Sequence, residues 1–192
     1  MSATEDRVLA QIEAAVAAAA SLPYGGERVD QRQHALQCAA LARAAGADAE
    51  LTVAALLHDI GRSPAVLDAI GPDPGVAPDP AAHGEVAASW LRPRTGERIA
   101  WLVEQHVPAK RFLCTVEPDH ELSEASARSL RSQGGAMSTE EVERFRSHEW
   151  WEDAVALRRW DDLAKDPNAR VLPIEAYEPE LRAVISAAVR ER

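Results

Sequence analysis

The stretch Val53-Ala54-Ala55-Leu56-Leu57-His58-Asp59-Ile60-Gly61 decides how this chain is read. Five apolar residues in a row are too continuous for a half-exposed helix, so the segment reads as a buried helix that ends on two metal-binding side chains. Neighbouring helical residues project ~100° apart, which lets His58 and Asp59 straddle a metal centre. The carboxylate of Asp59 has two oxygens and can bridge two ions, whereas each imidazole gives one nitrogen to one ion. Working outward, His34, His83, His106 and Asp161 bring further ligands, so four of the six histidines and two aspartates supply enough for two ions in one pocket. Mixed imidazole and carboxylate ligation suits iron, zinc or manganese, and the scarcity of thiolates argues against a soft-metal or iron-sulfur site. Spacing does not choose among these metals. His120 and His148 stand among charged residues and read as surface.

Around that pair the chain reads as all-α. Alanine-rich segments carry apolar residues at helical spacing, and strictly alternating β-branched runs are nearly absent. Helices are expected over residues 3–21, 28–45, 48–61, 79–92, 95–106, 122–132, 138–147, 149–165 and 174–190, separated by Pro23-Tyr24-Gly25-Gly26, Gly46, Pro93, Pro108, Gly134-Gly135 and Pro167. The Pro- and Gly-rich stretch from Gly71 to Pro80 reads as a long loop that delivers His83 to the site. With 192 residues and 46% hydrophobic content, one domain spanning 1–192 is expected. A formal charge of -10 disfavours nucleic acid and anionic membranes as partners, but leaves room for a small anionic substrate in a locally basic pocket. The chain has no apolar run near the ~20 residues of a membrane span, and no signal-peptide pattern, so a cytoplasmic location is expected. Cys38 and Cys114 lie far apart without metal-site spacing, Cys38 reading as helix core and Cys114 as core or pocket wall.

The segment Ala54 to Gly61 resembles the signature of the HD-domain superfamily, helical proteins usually associated with metal-dependent phosphohydrolases. More specific are Tyr24-Gly25-Gly26-Glu27, Glu104-Gln105-His106-Val107-Pro108-Ala109-Lys110-Arg111, Gln133-Gly134-Gly135-Ala136-Met137-Ser138 and Arg158-Arg159-Trp160-Asp161-Asp162-Leu163-Ala164-Lys165. Together these resemble the HD-domain mixed-valent diiron oxygenases that cleave 1-hydroxyphosphonates. The resemblance implies a helical bundle with a dinuclear centre holding Fe(II)/Fe(III), dioxygen as co-substrate, and release of phosphate and a carboxylic acid from 2-amino-1-hydroxyethylphosphonate or a close analogue. It implies six ligands, His34, His58, Asp59, His83, His106 and Asp161, with Asp59 bridging and Asp161 preferred to Asp162. It also implies that Tyr24 and Glu27 lie on a loop over the site, Tyr24 near one iron and Glu27 meeting a substrate ammonium. Lys110, Ser126 and Arg158 would hold the phosphonate.

Simple chemistry is compatible with these roles. Lys110 stands four residues beyond His106, and Arg158 three before Asp161, so each shares a helix face with a ligand. A guanidinium offers a planar fork to two oxygens, which an ammonium does not. Glu27 equally suits the start of the following helix. Where the family pattern often has histidine after the glycine, this chain has Arg62, a longer and permanently charged candidate for the substrate site. Few aromatics other than Tyr24 are expected near the site, which favours a primary amine over a trimethylammonium group. The competing enzyme class is a metal-dependent HD phosphohydrolase acting on a nucleotide or phosphate monoester, and the non-enzymatic one a ligand sensor that keeps the fold.

Overall fold

In the computed structural model, residues 2–71 and 82–191 are described. They form helices α1 (Ala3–Ala18), α2 (Gln31–Ala44), α3 (Ala49–Leu57), α4 (Pro64–Ile70), α5 (His83–Thr95), α6 (Glu97–Val116), α7 (Glu124–Ser132), α8 (Thr139–Arg146), α9 (Trp151–Leu163) and α10 (Glu178–Arg190), with 3-10 turns at Ala19–Ser21, Ile60–Arg62 and Ile174–Tyr177. Extended pairing among the described residues is confined to an isolated antiparallel bridge between Pro23 and Asp30. The protein is all-α.

Helix α3 lies at the centre, and its composition explains why. Val53, Ala54, Ala55, Leu56 and Leu57 are all at most 1% exposed, so the helix is apolar on every side and enclosed on every side. It packs against α2, α6, α9 and α10, while α5 runs along α6 and α6 along α9. Local signals fix where the surrounding helices begin. The carboxylate of Asp30 accepts from the Gln33 amide and the Gln33 side chain returns to the Asp30 amide, a capping box that starts α2 one turn before His34. Asp48 caps α3 and Ser123 caps α7 more simply, each side chain accepting from the amide three residues on, worth ~1 kcal/mol apiece.

The structure departs from the sequence expectation in four places. Helix α5 runs through the expected breaker Pro93 to Thr95, and the break falls at Gly96, whose positive φ of 94° ends the helix. Helix α3 stops at Leu57, so His58 caps it and Asp59 opens the turn Ile60–Arg62 instead of both standing inside a helix. Helix α4 was not expected; Ser63 followed by Pro64 is its start signal, a proline at the first helical position. Helix α6 runs through Pro108 to Val116 instead of ending at 106, because Ala109, Phe112 and Leu113 bury their side chains beyond the proline. Their packing outweighs the ~3 kcal/mol a proline costs inside a helix. Helix α5 begins at His83; the expected loop up to Pro80 and the helix start at 79 lie, beyond Gly71, outside the described residues. Among the described residues no helix is long and apolar enough to cross a membrane.

Candidate metal centre

Five helices and one turn converge on one point. His34 comes from α2, His58 from the end of α3, Asp59 from the turn that follows, His83 from the first position of α5, His106 from the middle of α6 and Asp161 from the last turn of α9. All six are buried. His34 Nε2 lies 3.0 Å from His58 Nε2, and His83 Nε2 lies 2.9 Å from His106 Nε2. The two imidazole pairs flank Asp59, whose Oδ1 is 3.0 Å from His83 Nε2 and 3.6 Å from His106 Nε2, and whose Oδ2 is 3.9 Å from His58 Nε2. Asp161 Oδ1 is 3.3 Å from His34 Nε2. Two groups able to hold a cation result, His34 with His58 and Asp59, and Asp59 with His83 and His106, sharing the one carboxylate.

The ring nitrogens turned away from this point report the tautomers. His34 Nδ1 donates to the Ala164 carbonyl at 2.9 Å, His58 Nδ1 to Ala55 at 2.9 Å and His106 Nδ1 to Val103 at 2.6 Å. A carbonyl only accepts, so Nδ1 carries the proton and the Nε2 lone pair points inward. Bare lone pairs about 3 Å apart repel each other unless a proton or a cation lies between them. Backbone-anchored imidazoles of this kind are the usual support of metal-ligating histidines, so the donor set fits two first-row metal ions of the iron, zinc or manganese kind.

Electrostatics favour the ligating protonation states. Burial pushes His58 and His106 below the ordinary histidine range, helped by the neighbouring imidazoles His34 and His83 respectively, so both stay neutral. Burial alone would raise the two carboxyls, but Arg62, His83 and His58 outweigh it at Asp59, and Arg158, His34 and His58 outweigh it at Asp161. Both lie well below the usual carboxylate range.

A cavity of about 580 Å³ opens over the centre, lined by Tyr24, Asp59, Arg62, His83, His106, Lys110, Ser126, Arg158 and Asp161 among others. Tyr24 stacks on His34 with ring centroids 3.8 Å apart and donates its hydroxyl to Asp161 Oδ1 at 2.9 Å. Burial and the nearby Asp161 push its phenol well above the usual value. Lys110 Nζ donates to Ser129 Oγ at 2.8 Å, and burial followed by Arg158 lowers it to about 8. Arg62 Nε reaches Asp59 Oδ1 at 3.3 Å.

Two sequence expectations change here. Glu27 does not line the cavity; it is half-buried in the turn where its amide donates to the Tyr24 carbonyl. The fork of Arg158, expected on the phosphonate, is spread over Asp162, with Nη1 on Asp161 Oδ2 at 2.5 Å. Its guanidinium lines the cavity while already engaged by both carboxylates through charge-assisted hydrogen bonds. Asp162 in turn lies 3.2 Å from His120 Nε2, so His120 is enclosed instead of exposed, and His148 is stacked on Trp101 at 3.7 Å. Cys114 is not among the cavity residues, and Cys38 is core.

Other cavity residues escaped the sequence reading. Ser129 and Ser132 extend the expected Ser126 into a hydroxyl stripe along one face of α7, a spacing of three that was legible. Gln31, one helical turn before His34, brings a buried amide whose Oε1 has no hydrogen-bond partner, and Gln133 brings another. Lys165, outside the lining itself, donates to Ser126 Oγ at 3.2 Å. Isolated glutamines and lysines carry no pattern to mark them.

The HD domain profile matches residues 32–172. The chain is 38% identical over 161 residues to a hydroxymethylphosphonate dioxygenase from Gimesia maris, covering 83% of this chain and 79% of the relative. It is 37% identical over 164 residues to a [1-hydroxy-2-(trimethylamino)ethyl]phosphonate dioxygenase (glycine-betaine-forming) from Leisingera caerulea, covering 84% and 82%. An uncharacterized protein, L432, of Acanthamoeba polyphaga mimivirus is 32% identical over 163 residues, covering 80% and 71%. The chain belongs to the HD domain family, in the branch that contains these hydroxyphosphonate dioxygenases.

Proposed function

We propose that this protein cleaves the carbon-phosphorus bond of a 1-hydroxyphosphonate with dioxygen, giving phosphate and a carboxylate. The observation that carries this reading is two ligand triads sharing Asp59 at the floor of a cavity whose walls bring Lys110 and the hydroxyls of Ser126 and Ser129. Held by His34, His58, Asp59, His83, His106 and Asp161, a mixed-valent Fe(II)/Fe(III) pair supplies Lewis acidity toward the substrate oxygens and the redox capacity for dioxygen chemistry.

The protein's own groups do the rest. Lys110 binds the phosphonate as a point charge, and the serine hydroxyls of α7 donate to its remaining oxygens. Arg158 holds Asp161 in place through a charge-assisted hydrogen bond and adds positive charge to the cavity wall. Tyr24 covers His34 and Asp161 before substrate enters, and yields that place to it. The buried floor keeps bulk water from the reacting carbon. The equation balances as a hydroxyphosphonate dianion plus one dioxygen giving a carboxylate, hydrogen phosphate and one proton.

Iron-loaded protein mixed with hydroxymethylphosphonate in air is expected to release one phosphate per dioxygen consumed, and none without oxygen. Equal release under both conditions would overturn the reading in favour of hydrolysis. Electron paramagnetic resonance of partly oxidised protein tests the metal assignment, through a coupled mixed-valent signal that substrate perturbs.

A further inference from the structure

The cavity carries a charge pattern that bears on which hydroxyphosphonate it takes, an inference that rests on the reaction just proposed. Among the described residues four cations line it, Arg62, Lys110, Arg128 and Arg158. Among the described residues the only carboxylates in its lining are Asp59 and Asp161, and both are committed. Asp59 faces His83 and Arg62, and Asp161 faces His34, Arg158 and the Tyr24 hydroxyl. Among the described residues a substrate ammonium entering here finds no free carboxylate.

Nor does it find an aromatic cage. Tyr24 has His34 stacked on its ring at 3.8 Å, and the Lys165 ammonium already lies 5.9 Å from its centroid. Quaternary or primary ammonium groups are held by open aromatic faces or by carboxylates, and this cavity offers cations in their place. Arg62 is the closest of these to the shared carboxylate. Its Nε is 3.3 Å from Asp59 Oδ1 and its Nη2 3.2 Å from the His83 ring nitrogens, so its charge stands beside the centre itself. Arg128 stands at the rim, its partner Glu124 3.7 Å away and 97% exposed, where water screens that pairing.

We propose that the cavity selects against cationic substituents: the 1-hydroxyphosphonate turned over here carries no ammonium on its second carbon, and Arg62 is the specificity-determining residue, seconded by Arg128. This replaces the primary amine expected from the sequence. An ammonium about 6 Å from a guanidinium, at an effective dielectric of ~20, is disfavoured roughly a hundredfold.

The test compares kcat/KM for oxygen-dependent phosphate release from hydroxymethylphosphonate and from 2-amino-1-hydroxyethylphosphonate. Wild type is expected to favour the first at least about tenfold. Arg62→Glu should cut that ratio at least about tenfold, chiefly through KM of the amine, and Arg62→Lys should preserve it. Calorimetry with the unreactive pair ethylphosphonate and 2-aminoethylphosphonate gives the same comparison without turnover, and should show the amine binding more weakly to wild type. Preference for the amine, or a ratio that Arg62→Glu leaves unchanged, overturns the inference while sparing the reaction. Release from neither substrate overturns the reaction and this inference with it.

Discussion

At the scale of single residues, the chemistry of the site turns on which side chains keep their charge. Lys110 is set apart from the arginines because burial and Arg158 bring it down to about 8, within reach of ordinary assays. Its ammonium is present below that value and lost above it. The kcat/KM for phosphate release, which reports the free enzyme, is therefore expected to fall as pH rises through about 8. Arg at this place stays charged, so Lys110→Arg should remove the alkaline fall even if its overall rate is lower, and Lys110→Ala should cost about ten- to hundredfold, the worth of a hydrogen bond to a charged group. A pH-rate series on the three proteins decides this. Asp59 carries a different load, since both of its oxygens are used. Asp59→Asn keeps the shape but loses one shared anionic ligand, and elemental analysis should find the metal content falling from about two ions per chain to one or fewer, whereas His83→Ala should leave one. The choice of Asp161 over Asp162 was legible only through the family resemblance. Both are acids near a helix end, and what separates them is that Asp161 faces His34 while Asp162 faces Arg158 and His120.

At the scale of elements, one close approach holds the two halves of the centre in register. The turn Ile60–Arg62 crosses the start of α5 so tightly that a Cβ on Gly61 would meet the His83 carbonyl oxygen at 2.1 Å and the Ala87 nitrogen at 2.9 Å. Both contacts are backbone, so neither yields by a rotamer change. Gly61→Ala must separate the turn from α5, and is expected to destabilise the fold by ~1–3 kcal/mol, as overpacking does. It should also pull His83 away from Asp59, so that chemical denaturation and metal analysis both report the loss. This explains the glycine two residues after Asp59, which the sequence reading used only as part of a motif. Most helices were legible because their apolar spacing and their caps agree, as at Asp30 and Ser138. Helix α4 was missed because seven residues with one buried side chain, Val66, leave almost no periodicity to read. The end of α6 was misplaced because Pro108 is a strong local signal, and only tertiary burial of Phe112 and Leu113 overrides it. The pairing of Arg158 was legible as a spacing, since Asp161 and Asp162 stand three and four residues on along the same helix. The place of Glu27 was not, because a loop residue has no helical neighbours to say whether it reaches the cavity lining.

At the scale of the whole molecule, the centre is where the helices meet, so holding metal and holding the fold are coupled. Ligands come from α2, the α3 end with its following turn, α5, α6 and α9, which are otherwise joined by apolar contacts around α3. Inward lone pairs on His34, His58 and His106 and two buried carboxylates are mutually repulsive groups, relieved by cations or by protons. An ion that binds only the folded chain stabilises it by RT ln(1 + [L]/Kd), ~2.7 kcal/mol when free metal is a hundred times Kd. For a chain of this size each kcal/mol moves Tm by about 2–4 °C, so two such ions are worth roughly 10–20 °C. Chelator-treated protein should therefore melt at least about 5 °C below the iron-loaded form, and readdition of Fe(II) should restore the difference. Asp59→Asn, which cannot hold both ions, should show a much smaller response to chelator. Equal melting temperatures with and without metal would mean that these six side chains do not form the proposed centre, and the catalytic reading would fall with it.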